Sequence, residues 1–174
     1  MRIACVLDTG FEDSEFKEPY DAFTEAGHEV TIVGFEAGKE LKGKKGNVTV
    51  TADRGITEVQ DSDFDALLIP GGHSPDHLRA DMGFVSFTRA FFANDRPVFA
   101  VCHGQQLMIA ARVYQKHRMT AWTTIQDDLR QLGADVVDEE VVVDRNLVTS
   151  RQPSDLPAFT RAALELLDKV PASA

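Results

Sequence analysis

Cys102 stands where two kinds of sequence meet. Pro97-Val98-Phe99-Ala100-Val101 is a short apolar run of strand character, and Gln105 to Ala111 has helical spacing. The residues between them, Cys102-His103-Gly104, make a nucleophile elbow of the form Ala-x-Cys-x-Gly, a thiol variant of Gly-x-Ser-x-Gly. Small residues at 100 and 104 let the helix pack close to the strand. The thiolate is the reactive form of cysteine and a helix amino end favours an anion, so this position predicts a depressed thiol pKa. The backbone amides of Gly71, Gly72 and Gly104 are candidates for binding a substrate oxygen or oxyanion.

His103 is next to the thiol and suits a base or proton relay. Such a pair wants a third, orienting group. Asp76, in the segment Gly71-Gly72-His73-Ser74-Pro75-Asp76-His77, is the candidate, from this chain or from a partner chain. Glu15 lies on the first turn of the first helix at the same rim. On the residues alone it reads as a solvated carboxylate complementing the helix dipole, with Glu12 one turn earlier competing for any carboxylate role. Cys5, inside an apolar strand, reads as an inert core cysteine.

His73 and His77, four apart in a loop, could join Cys102 around a metal. No Cys-x-x-Cys or His-Glu-x-x-His spacing supports this, so no metal is expected. Gly71-Gly72 is followed by neither Gly-Lys-Ser/Thr nor a Gly-x-Gly-x-x-Gly pattern, and no cofactor is expected either. Trp122, Phe84, Phe87, Phe91 and Phe92 read as core or dimer-interface aromatics.

These residues need a scaffold, and strands alternate with helices along the chain. Ile3–Leu7, His28–Phe35, Asp65–Ile69 and Pro97–Val101 read as strands. Glu12–Ala26, Phe84–Asn94, Gln105–Ala111, Thr124–Leu132 and Ser154–Val170 read as helices. Pro19 predicts a kink or a late start in the first, and Ser154 an N-cap for the last. Asn47–Ala52 alternates like a hairpin or edge strand, and Val141–Val143 with Leu147–Thr149 like another hairpin. The expected fold is α/β, a three-layer α/β/α sandwich on a mostly parallel central sheet. Ligands sit at the carboxyl ends of the strands in such sheets, which gathers Asp8–Glu15, Gly71–His77 and Cys102–Gly104 on one rim.

With 174 residues, the chain is expected to form one domain over 1–174. It carries 28 acidic against 18 basic residues, a net charge of −10, and no basic stripe. No nucleic-acid groove and no anionic membrane surface is therefore expected as partner. The first apolar run is too short for a signal peptide, and nowhere do about 18 apolar residues run together. A cytoplasmic location follows as the expectation, and in a reducing compartment two cysteines raise the question of reactivity rather than bridging.

Phe11-Glu12-Asp13-x-Glu15, Ala26-Gly27-His28-Glu29-Val30, Pro70-Gly71-Gly72, Cys102-His103-Gly104, Asp127-Asp128-Leu129 and Ser150-Arg151-x-Pro153 resemble, in the same order, the PfpI branch of the DJ-1/PfpI superfamily. The likeness runs from about Arg2 to Leu167. It implies a flavodoxin-like fold, a homo-oligomer with a dimer as minimum, and Cys102 as a strained, oxidation-prone nucleophile. It also implies that the Glu15 carboxyl group hydrogen-bonds the Cys102 sulfur, which reverses the solvated reading. His103 would be catalytic in this branch, completed by a neighbouring subunit's acid at the position of Asp76, here one methylene shorter than the usual glutamate. Gln105 stands where the family often has proline. No histidine follows His117, which excludes the amidotransferase pattern of a late His-x-Glu pair.

The leading expectation is a stress-response enzyme whose Cys102 acts on small electrophilic carbonyls or their adducts, in the manner of a glyoxalase or deglycase. The alternatives are an intracellular cysteine peptidase using Cys102, His103 and Asp76 across a subunit interface, and a non-catalytic peroxide sensor or redox-controlled chaperone.

Overall fold

The structure, a computed structural model, describes residues 1–171; residues 172–174 of the expected domain lie outside the described residues. In chain order it has β1 (Arg2–Val6), α1 (Asp13–Glu25), β2 (Glu29–Gly34), β3 (Glu40–Lys42), β4 (Thr49–Thr51) and β5 (Arg54–Gly55). Then come β6 (Ala66–Ile69), α2 (Ser74–Leu78), α3 (Met82–Ala93), β7 (Val98–Val101), α4 (Gln105–Ala111), β8 (Arg118–Met119) and α5 (Thr123–Gln131). The chain closes with β9 (Asp135–Val136), β10 (Val141–Asp144), β11 (Leu147–Ser150) and α6 (Leu156–Lys169).

The main sheet runs β10-β11-β7-β6-β1-β2-β5. All its pairings are parallel except β10 with β11, the late hairpin. Alternation along the central strands explains the layers. Ala4, Val6, Leu67, Ile69, Val98 and Ala100 face one core, with Phe84 and Phe91 of α3, Leu107 and Met108 of α4, and Ile125 of α5. Ile3, Cys5, Ala66, Leu68, Phe99 and Val101 face the other, with Phe16 and Phe23 of α1 and Phe159 of α6. Strands apolar at every position belong in a sheet covered on both faces. The expected three-layer sandwich is therefore present. Cys5 is fully buried, and burial drives its thiol far up, as an inert core residue requires. No helix among the described residues is long and apolar enough to cross a membrane.

Three local expectations are corrected. Helix α1 starts at Asp13, six residues before Pro19, so the proline delays nothing. Glu12 caps it by accepting from the amides of Ser14 at 3.0 Å and Glu15 at 3.1 Å. The segment around His73 and His77 is not all loop, because Ser74–Leu78 forms a helical turn started by Pro75. Ser154 does not cap α6 but sits within a 3₁₀ turn, Pro153–Asp155, and the Asp155 carboxylate is engaged by Arg151.

The β3–β4 hairpin is fastened over the start of α1 by one side chain. Asp13 is buried, and its carboxylate accepts from the amides of Lys45, Asn47 and Val48, each at 2.9 Å. Burial opposes the charge, but these three donors outweigh it and hold Asp13 below its usual value. A depressed folded-state pKa stabilises above the unfolded value and stops doing so as pH falls through the folded one. Asp13→Ala should therefore cost roughly 2–4 kcal/mol at pH 7, from amides left without an acceptor. The difference from the unsubstituted protein should shrink as pH falls below about 4, the ordinary carboxylate range in which the unfolded chain binds a proton before the folded one does. Urea unfolding at pH 7 and pH 3 checks this; equal midpoints at pH 7 would contradict it.

Candidate active site

Cys102 has φ +63°, a left-handed conformation costly for a residue with a side chain. Its amide donates to Ser150 O at 3.0 Å and its carbonyl accepts from the Trp122 amide at 3.1 Å, so the strained residue is pinned at both ends. Behind it, the fully buried Gln105 Nε2 donates to Thr120 O at 2.7 Å, Ala100 O at 3.2 Å and Ser150 O at 3.3 Å. One amide thus ties the end of β7, the end of β11 and the strand leading to α5. The sequence marks Gln105 only as a departure from proline.

Cys102 is 7% exposed, and its sulfur lies 3.2 Å from His103 Nδ1. Burial, then the charge of Lys44 and then His73, hold the His103 imidazole below its usual pKa. It is neutral at pH 7 and able to take a proton. Its ring stacks on Trp122, with centroids 6.2 Å apart and planes at 24°. Among the described residues, its Nε2 has no hydrogen-bond partner.

Glu15 is not solvated; it is fully buried. Its Oε1 accepts from the Gly71 amide at 3.1 Å, and its Oε2 is buried without a hydrogen-bond partner of normal geometry. Burial first, then the charge of Glu12, push Glu15 up to about 8, against smaller opposing effects of Cys102, Lys44 and Gly71. Glu12 behaves oppositely. Burial works against its charge, but Ser14, Lys45 and the Glu15 amide overcome it and hold Glu12 low. Lys45 Nζ lies 3.0 Å from Glu12 Oε1. Two neighbouring carboxyl groups therefore sit in different protonation states at neutral pH, Glu12 charged and Glu15 neutral.

This bears on the thiol. The expected depression is absent: burial and the Glu15 charge push Cys102 up, and the His103 amide only partly offsets them. With Glu15 protonated at pH 7, the repulsion is gone and an O–H is left to donate toward sulfur. Activation of the thiol thus depends on its neighbours rather than on the helix end alone.

A cavity of about 230 Å³ opens over the sulfur, walled by Glu15, His103, Trp122, Pro153, Lys44 and Lys45. The lysines come from the β3–β4 hairpin, which no motif marks. Lys44 has no ion-pair partner among the described residues. Asp76 is not on this wall. It lies on α2 with its side chain 57% exposed and Arg79 at 2.7 Å, so within one chain it does not orient His103.

The three site glycines serve by smallness. The Gly71 amide is committed to Glu15, and the Gly104 amide to Val101 O at 2.9 Å, so neither is free for an oxyanion in this conformation. Gly72 takes φ +79°, and a β-carbon there would fall 2.4 Å from the Glu12 nitrogen. His77 Nδ1 is engaged by Asp8 at 2.9 Å. Among the described residues, no group of three or more His, Cys, Asp or Glu is arranged to hold a metal ion.

Comparison with known proteins bears on the family and the fold. The DJ-1/PfpI family model matches residues 1–166. A Bacillus subtilis protein named General stress protein 18 is 56% identical over 169 residues, covering 97% of this chain and 98% of that one. An Escherichia coli protein named Protein/nucleic acid deglycase 2 is 54% identical over 167 residues, covering 95% and 97%. Among solved structures, a two-domain Anabaena variabilis protein with DJ-1/ThiJ/PfpI-like and ferritin-like domains superimposes with a TM-score of 0.93 at 37% identity. This chain is 98% covered and spans 50% of that longer one.

The raised Glu15 pKa has a measurable sign. A carboxyl group lifted from 4.5 to about 8 binds its proton more tightly folded than unfolded, so its contribution to stability falls as pH rises between those values. Glu15→Gln keeps the shape and removes the titration. Thermal unfolding between pH 5 and pH 9 should show a decline in the unsubstituted protein that is clearly smaller in the variant. Parallel curves would mean that Glu15 titrates normally.

Proposed function

The chain belongs to the DJ-1/PfpI family, and we propose that it consumes small electrophilic carbonyls, such as 2-oxoaldehydes or their adducts, through Cys102. The observation that carries this reading is the pairing around one sulfur. A neutral histidine nitrogen stands 3.2 Å away, and a buried, protonated glutamic acid shares the same small cavity. A base and an acid of matched protonation are what carbonyl addition by a thiol requires.

His103 takes the thiol proton. The sulfur then adds to the aldehyde carbon while the carbonyl oxygen receives the Glu15 proton, giving a hemithioacetal. The hydrogen on that carbon next leaves as a proton and is returned to the adjacent ketone carbon by way of an enediol. This leaves a thioester of a 2-hydroxy acid, which water cleaves to free the acid and the thiol. One carbon is oxidised and its neighbour reduced, so water is the only co-reactant. A cavity of about 230 Å³ suits a substrate of a few heavy atoms better than a peptide. Two close relatives bearing the names of a stress protein and a deglycase fit the same reading.

Peptide hydrolysis has less support in a single chain, because the Asp76 carboxylate is held by Arg79. The open Nε2 of His103 would need an acid from a second copy of the chain, the partner that the family resemblance implies.

Consumption of methylglyoxal, followed by loss of its carbonyl absorbance and by product acid, tests the proposal. Cys102→Ser should reduce turnover to background, and Glu15→Gln should slow it by about 10²–10⁴-fold. Absence of turnover in the unsubstituted protein would refute the reading. Equal rates in Glu15→Gln would remove the acid from it.

A further inference from the structure

A second cavity, of about 450 Å³, lies at the other end of the sheet. Cys102 follows the carboxyl end of β7, whereas this cavity is built where β7 and β11 begin. Asp95 precedes β7, Arg145 precedes β11, Arg112 ends α4, and Lys116 and His117 lead into β8. Nothing in the carbonyl chemistry above uses it.

Its charge is opposite to that of the molecule. The chain carries −10 overall, yet Arg89, Arg112, Lys116 and Arg145 line this cavity against one carboxylate, Asp95. These residues are far apart in sequence, so no basic stripe announces them. Burial and Arg145 hold His117 below its usual pKa, so it adds no charge. Arg145 is partly engaged, by Asp144 at 3.4 Å, by the Lys116 carbonyl and by His117 Nδ1 at 3.3 Å. Arg89 spends only Nε, on Ala111 O at 3.0 Å. Among the described residues, the Arg112 guanidinium and the Lys116 ammonium have no hydrogen bond or ion pair.

The backbone singles out the same place. Among the described residues, four other than glycine have positive φ: Asp95, Cys102, Arg112 and Arg145. One is the nucleophile, and the other three all line this cavity. Each of the three ends an element, Asp95 after α3, Arg112 as the cap of α4 and Arg145 in the β10–β11 turn, so the ends of three elements bring two arginines to one hollow. Phe92 and Val113 supply an apolar wall beside the cations.

We propose that this cavity is a binding site for a small organic phosphate, with Arg112, Lys116, Arg145 and Arg89 around the phosphoryl group and the Phe92 side taking the apolar body. Guanidinium groups match phosphoryl oxygens in pairs, and several cations with two uncommitted heads call for more than one negative charge. The volume lies in the range of small-molecule sites, roughly 300–1,000 Å³. The site stands apart from Cys102 and does not depend on what that residue does.

Isothermal titration calorimetry of the full chain with ADP and with inorganic pyrophosphate tests this. We expect saturable binding of at least one probe, tighter than about 1 mM at low salt, and weaker as salt rises. The double substitution R112Q/K116Q should weaken it at least tenfold while leaving methylglyoxal turnover unchanged. Lys116 is exposed, so K116Q alone keeps the fold and should also weaken binding measurably. Failure of both probes to bind, or equal affinity in the substituted proteins, would overturn the proposal.

Discussion

The site exists because three stretches of backbone meet with no side chain between them. A β-carbon on Gly104 would stand 2.4 Å from Ile69 O, and one on Gly71 would stand 2.4 Å from Glu15 Oε1 and 3.0 Å from Cys102 Cβ. Any residue larger than glycine would push the elbow off β6 and the loop after β6 off the carboxyl group. The carboxyl and the thiol face each other across an α-carbon that carries only hydrogen. That closeness leaves no room for water around Glu15, and the missing solvation is why it keeps its proton.

Protonation then follows from distance. Glu12 and Glu15 lie one helical turn apart, yet Glu12 has a lysine, a hydroxyl and two amides, while Glu15 has one amide and a sulfur. Two buried charges so close would repel, so one gives way, and it is the one with fewer donors. Stability and chemistry pull apart here. Burying a carboxyl group with a single amide donor costs stability, a cost that the acid role proposed for Glu15 would account for.

Much of the frame was legible in the sequence. Apolar runs of four or five residues ending at Pro70-Gly71-Gly72 and Cys102-His103-Gly104 read correctly as buried parallel strands, because burial on both faces leaves an unmistakable composition. The elbow was legible for the same reason. Other features were not, since they depend on partners distant in the chain. Glu15 reads as a surface carboxylate until β6 and the hairpin close over it. Gln105 looks like an ordinary polar helix start, and its three acceptors come from positions 5 to 45 residues away. Asp76 is held by Arg79, at i+3 on a turn that the sequence presented as loop, so within one chain it does not orient His103. The basic hollow at the far end draws one or two residues from each of several segments, a pattern that only folding assembles.

Trp122 carries one further consequence. It is the single tryptophan of the chain, and it stacks on His103 at the wall of the cavity that holds the sulfur. Its emission therefore reports from that wall and from nowhere else in the polypeptide. An imidazolium quenches an indole it lies against far more than a neutral ring does, so the protein carries a native optical probe of proton arrival at His103, readable without any label.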